Sequence, residues 1–199
     1  MKLYLTPYST FSRRARIALI EKGLQAEEQI VAPNERMGPE YRALNPFGRI
    51  PALVDGDVVV YESTAIWTYL EERFPEPPLI PPDPAGRARV AMLVKLCDLE
   101  FTPLAIQVQR PKRMQAEATW DRAAMEATRA PIAAHYDFLE RELQGREYLA
   151  WDRFTLADLA YLPFLHFHAL LDVELPPNVD AWWQRLAARD SARRTIPDR

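Results

Sequence analysis

The chain has 199 residues, 48% of them hydrophobic and 27% charged, with a net charge of −3. That length supports one large domain or two small ones with a real core, and the slightly acidic balance argues against a nucleic-acid binder, which carries a basic surplus. A single cysteine, Cys97, excludes an internal disulfide and a multi-cysteine metal site. Within "VAMLVKLCDLEF" it reads as a buried thiol, a usage that fits the cytosol. The opening "MKLYLTPYST" has too short an apolar run for a signal peptide, and no stretch reaches the length of a membrane span. The expectation is a soluble cytoplasmic protein that engages neither nucleic acid nor membrane.

In "KLYLT", Leu3 and Leu5 alternate with polar residues and predict a short strand over 2–6. "YSTFSRRARIALIEKGL", residues 8–24, settles into a helical rhythm through Ala15, Ile17, Ala18 and Leu19 and stops at Gly23. Ser9 stands where that helix starts. It is either a plain N-cap or a hydroxyl that does chemistry there, and both readings stay open. "EEQIV" near 27–31 predicts a second strand, and "PEYRAL" at 39–44 a short helix before the turn "NPFG". "PALVDGDVVVYES" splits into apolar runs at 52–54 and 58–60 joined by "DGD", a hairpin signal because Gly56 supplies positive φ. A helix follows from Ser63 to about Phe74, with Ala65, Ile66, Tyr69 and Leu70 on one face. The order of strand, helix, strand, helix, hairpin and helix suits a small α/β sandwich.

The chain carries 18 prolines and 6 glycines. Five of the prolines lie within 75–82, in "FPEPPLIPPDPAG". Proline fixes φ and lacks a donor, so 76–84 reads as a stiff linker between an α/β domain at 1–75 and a second domain at 85–199. That second part is all helix. "GRARVAMLVKLCDLEFTPLAIQVQ" predicts a long helix bent near Pro103. Residues 120–143 predict another, with Pro131 a kink or weak joint. "FTLADLAYLPFLHFHALL" carries a Thr155 N-cap, Asp158 at the capping-box position and a Phe154–Leu159 staple. It is apolar nearly all round and belongs at the centre of its domain. "VDAWWQRLAAR", 179–189, closes the series. The basic run "RPKR" at 110–113 reads as solvated surface.

Four segments in this order resemble the glutathione transferase family, its phi-type serine enzymes and their bacterial relatives in particular: "STFSRRARIALIEKGL", "PEYRALNPFGRIPALVDGDVVVYEST", "YLAWDRFTLADLAYLPFLH" and "AWWQRL". The resemblance implies a thioredoxin-like α/β domain followed by an all-α domain, a homodimer, and detoxification chemistry with glutathione as co-substrate and no metal. In the pattern S-x-x-S/T-R-R, Ser9 matches the catalytic serine, Ser12 is the second candidate for the thiolate donor, and Tyr4 and Tyr8 are fallbacks because other classes use a tyrosine. Glu62 and Ser63 match the binder of the γ-glutamyl end. Ile50 precedes Pro51, a cis proline in the family that presents the Ile50 backbone to the ligand. Arg49 and Arg36 stand where phi-type enzymes often carry glutamine and histidine, departures that an arginine's grip on carboxylates accommodates. The resemblance further implies a pocket between the domains for an apolar electrophile, lined by Phe11, Phe101, Leu104 and His166. Peroxidase, isomerase and dehalogenase activities use the same activated sulfur.

"YESTAIWTYLEERFPEPPLIP", 61–81, is also similar to stringent starvation protein A, a bacterial partner of RNA polymerase. The rival expectation is therefore a catalytically inactive protein on the same fold that binds a protein partner.

Overall fold

The computed structural model describes residues 1–197. It divides into two compact units, Met1–Leu79 with the residues from Asp190 onward, and Ile80–Arg189.

The first unit is built on β1 (Lys2–Leu5), α1 (Thr10–Glu21), β2 (Glu27–Ile30), α2 (Pro39–Leu44), β3 (Ala52–Asp55), β4 (Val58–Tyr61) and α3 (Ser63–Arg73). The sheet order is β2-β1-β3-β4. β1 pairs with β2 in parallel, Leu5 opposite Ile30, and antiparallel with β3, Tyr4 opposite Ala52. β3 and β4 form the expected hairpin, Ala52 opposite Tyr61, with Gly56 at φ +59° in its turn. This is the thioredoxin-like arrangement. Strand alternation sends Leu3 and Leu5 into the core shared with Ala15, Ile17, Ile66 and Leu70, all buried. Tyr4 turns to the other face and joins Val31, Tyr41, Ala52 and Leu44 in a second apolar cluster. On α3 the inward face is Ile66, Trp67, Leu70 and Glu71, whereas Ala65 is exposed, so the expected face is rotated by one position.

The proline-rich segment is fastened at its start. Lys22 Nζ lies 2.6 Å from Glu71 Oε1 and donates to the Pro77 carbonyl at 2.8 Å, while Glu71 accepts from the Leu79 amide. Both charged side chains are buried, and each is neutralised by the other.

The second unit holds α4 (Pro84–Leu96), α5 (Thr102–Met114), α6 (Arg122–Glu126), α7 (Arg129–Glu142), α8 (Leu156–Leu165) and α9 (Pro177–Ala187). The bend expected at Pro103 lies just before it, in a π-turn over Cys97–Phe101. Pro103 sits in the first turn of α5, where its missing donor costs nothing. Pro131 likewise falls in the first turn of α7, and the break between α6 and α7 comes earlier, at 127–128. Every residue of α8 is buried. Asp158 Oδ2 accepts from the Thr155 amide and hydroxyl, both at 2.8 Å, completing the capping box. Cys97 is buried, as its setting predicted. Among the described residues, no helix is long and apolar enough to cross a membrane.

The expected second domain, 85–199, differs at its end. A short helix absent from the sequence expectation, α10 (Asp190–Arg194), packs against α1. The physical reason is Arg13. It is buried on α1, and its guanidinium donates to Thr195 Oγ1 at 3.1 Å and to the Ala192 carbonyl at 2.9 Å. A buried cation needs such acceptors, and the C-terminal residues supply them.

Candidate functional site

Strand directions bring the sequence-predicted residues to one end of the sheet. β1 and β2 run in parallel, so the segment after Leu5 and the segment after Ile30 leave the same end. Ala52, at the start of β3, lies opposite Tyr4, and Tyr61, at the end of β4, lies opposite Ala52. The 6–9 turn with Ser9, the loop with Arg36, the Ile50–Pro51 pair and the Glu62–Ser63 corner therefore gather along that single edge.

Ser9 is the N-cap of α1 with extended backbone, φ −81° and ψ 123°, and its Oγ accepts from the Ser12 amide at 3.2 Å. The cap uses an oxygen lone pair and not the hydroxyl proton, so a half-buried Ser9 keeps its O–H to donate elsewhere. Ser12 is fully buried, and its Oγ accepts from the Thr6 amide at 3.3 Å. Enclosure removes it as a candidate thiolate donor. Tyr4 packs against Tyr41 with ring centroids 6.1 Å apart, on the face opposite α1 and α3. Tyr8 is half exposed.

Arg36 Nη2 donates to Thr6 Oγ1 at 2.8 Å, and its buried Nε has no hydrogen-bond partner among the described residues. Arg49 reaches solvent with its side chain while its carbonyl accepts from Tyr41 Oη at 2.7 Å and Asn45 Nδ2 at 2.8 Å. Burial, against the opposing pull of Arg36, pushes the Tyr41 phenol up to about 12, so it remains a donor at neutral pH. The Ile50–Pro51 peptide is cis. Gly48, at φ +63°, closes the "NPFG" turn against the Arg36 loop so tightly that a Cβ would lie 2.8 Å from the Arg36 carbonyl. Glu62 takes φ 70° and ψ 122°, a strained backbone for a residue with a Cβ, at about 1–3 kcal/mol. It leaves the α3 N-terminus without a side-chain cap, and Ser63, buried, opens that helix. Uncapped amides at a helix N-terminus favour an anion.

Of the expected electrophile pocket, Phe101 is corrected. Its ring is completely buried among His135, Tyr136, Tyr161 and Phe164, so it is core of the helical unit. Leu104 and His166 are half-buried in the same unit, His166 edge-on to Trp183. Phe11, in the first unit, is half-buried with the Arg14 guanidinium 5.3 Å from its ring. Sequence reasoning missed Thr6, the Tyr41–Asn45 pair and the strain at Glu62. Asn45 was signalled by its "NPFG" turn; Thr6 carries no local mark.

Residues 3–78 match the family model described as glutathione S-transferase, N-terminal domain, and residues 100–190 the one described as glutathione S-transferase, C-terminal domain. The chain is 36% identical to glutathione S-transferase 3 of Zea mays, over 98% of this chain and 93% of the relative. It is 32% identical to the stringent starvation protein A homolog of Coxiella burnetii, over 89% and 80%. A theta class glutathione S-transferase from Xanthomonas axonopodis pv. citri, solved with glutathione bound, superposes with a TM-score of 0.90 at 27% identity, covering 100% of this chain and 97% of that one.

Proposed function

Because the chain belongs to the glutathione S-transferase family, we propose that it binds glutathione at the sheet edge and lowers the pKa of its thiol, with Ser9 as the hydrogen-bond donor to the thiolate. The observation that carries this reading is the state of the Ser9 hydroxyl, which accepts from the Ser12 amide and keeps its proton for a ligand, at the N-terminus of α1.

A cysteine-type thiol has a pKa of about 8.5, and only its thiolate is a good nucleophile. Stabilising the anion by one unit takes about 1.4 kcal/mol. One hydrogen bond to a charged group contributes about 1.5–3 kcal/mol, and the positive end of α1 adds about 0.3–1. Together they bring the sulfur to ionisation near neutrality. Ser9 needs no base, because it donates and never attacks. The γ-glutamyl carboxylate would meet Ser63 and the uncapped amides of α3, with Glu62 facing the ammonium. The Ile50 backbone would pair with the cysteinyl unit. Arg36, and from the solvent side Arg49, would hold the glycyl carboxylate. The activated sulfur would then bond to carbon of an apolar electrophile, which expels a leaving group or takes up a proton as one of its own bonds opens, with Phe11, half-buried in the same unit as Ser9, the candidate to contact it. The assembly proposed is a homodimer in the cytoplasm, and a monomer by sedimentation at micromolar concentration removes the dimer.

The test is titration of the full chain with glutathione, followed by thiolate absorbance against pH for wild type and Ser9→Ala. The expected outcome is binding by both and an apparent thiol pKa higher by about 1–2 units in the variant. Absence of binding to wild type overturns the reading. It would favour the second one, an inactive protein of this fold that binds a protein partner such as RNA polymerase, for which the similarity to the stringent starvation protein A homolog speaks.

A further inference from the structure

Thr6 occupies the first position beyond β1, and all of its polar groups are engaged. Its hydroxyl donates to the Val31 carbonyl at 3.0 Å and accepts from Arg36 Nη2 at 2.8 Å. Its amide donates to Ser12 Oγ at 3.3 Å, and its carbonyl accepts from the Ser9 amide at 3.0 Å. The Val31 amide in turn donates to the Leu5 carbonyl at 2.9 Å, so the Thr6 side chain extends the β1–β2 pairing past the last ladder residue. The Ser12 amide completes the circuit by donating to Ser9 Oγ.

We propose that Thr6 is a positioning residue that locks the Arg36 loop to the Ser9 turn, so that the groups meeting the glycyl carboxylate and the thiol of a bound tripeptide are held in one register. The inference rests on the glutathione reading for its ligand, but the coupling itself is a property of the free protein. Three features support it. A single hydroxyl has one proton and accepts on the same oxygen, so one rotamer serves both Val31 and Arg36. Threonine is β-branched and stiff at χ1, which holds that rotamer cheaply. Among the described residues the buried Arg36 Nε has no hydrogen-bond partner, so the Thr6 bond is what aims the guanidinium. An alanine here would remove shape as well as the hydroxyl, whereas valine keeps the branch and leaves the backbone bonds to Ser9 and Ser12 in place.

The experiment compares wild type, Thr6→Val and Thr6→Ser by thermal melting, by amide exchange without ligand, and by glutathione titration with thiolate absorbance. Thr6→Val is expected to melt near wild type, to speed exchange in residues 32–37 and at the Ser12 amide, and to weaken glutathione binding about tenfold. Thr6→Ser restores both to within about twofold. Arg36→Met weakens binding by itself, and adding Thr6→Val to it has little further effect, because the two share one bond. Exchange in Thr6→Val that matches wild type at Ser12 and 32–37, or a Thr6→Ser variant that rescues nothing, overturns the proposal whatever glutathione does. Full additivity of Thr6→Val with Arg36→Met overturns the coupling through Arg36. A wild type that binds no glutathione yet shows the coupled exchange retires the ligand reading and upholds the coupling.

Discussion

At the residue scale, polar atoms already satisfied separate structural from chemical roles. Arg13 and Arg14 of the "S-x-x-S/T-R-R" pattern are both buried. Arg13 serves the C-terminal residues, and Arg14 lies 5.4 Å from the Trp67 ring. Ser12 is enclosed, and Ser9 alone of the two serines pairs a cap with partial exposure. In the helical unit, His135 has a residue-level consequence. Burial lowers its pKa to about 4, and its Nε2 lies 3.0 Å from Tyr161 Oη. The unfolded chain takes up this proton near 6.5, the folded chain only near 4, so stability rises with pH across that window and is lost as pH falls through it. The size is on the order of 3 kcal/mol once both are protonated. His168, lowered by burial against the opposing pull of Asp180, adds with the same sign. Urea midpoints measured from pH 7.5 to 4 should fall on acidification, and His135→Gln should flatten the decline. An unchanged slope in that variant would remove the assignment.

At the element scale, α8 is organised from its first turn. Asp158 is fully buried, and four donors converge on its carboxylate: the Leu149 amide at 3.0 Å, Trp182 Nε1 at 2.9 Å, and the Thr155 amide and hydroxyl. Burial raises its pKa, and those four hydrogen bonds oppose the rise. Asp158→Ala would leave a buried indole N–H and two amides unpaired. The expected loss is at least about 3 kcal/mol, read by denaturant unfolding. A loss under about 1 kcal/mol would mean that the box is ornamental to α8. Much of this element was legible in "FTLADLA", because capping acts within one turn of helix. The links from Asp158 to Leu149 and Trp182 were not, because they join residues 9 and 24 positions away. The same contrast holds at the site. The hairpin around Gly56 and the Ser9 cap are local, whereas the Thr6–Arg36 and Arg13–Thr195 bonds span 30 and 182 positions.

At the scale of the whole molecule, the first unit is not contiguous in sequence. Residues 190–195 close on α1 through Arg13, and Ser191 Oγ donates to Glu21 Oε1. A fragment of residues 1–79 would leave the Arg13 guanidinium without the acceptors it has at Thr195 and Ala192. Such a fragment should fold less stably than one in which residues 190–199 are rejoined by a flexible linker, as dispersion of amide resonances and urea midpoints would report. Equal stability of the two fragments would make the C-terminal return dispensable.

The amino-acid sequence by itself determined the α/β-then-helical order, the hairpin, the capping box, the proline-rich break and the resemblance that pointed to Ser9, Ile50–Pro51 and Glu62–Ser63. Each is written in a few neighbouring residues, where turn chemistry, capping and hydrophobic period act over short distances. Only the tertiary structure decided that Phe101 is core, that Ser12 is enclosed, that the last helix returns to α1, and that Thr6 joins Arg36 to the Ser9 turn. Burial and hydrogen-bond partnership depend on which strands lie side by side, and that is a property of the packed sheet rather than of any segment.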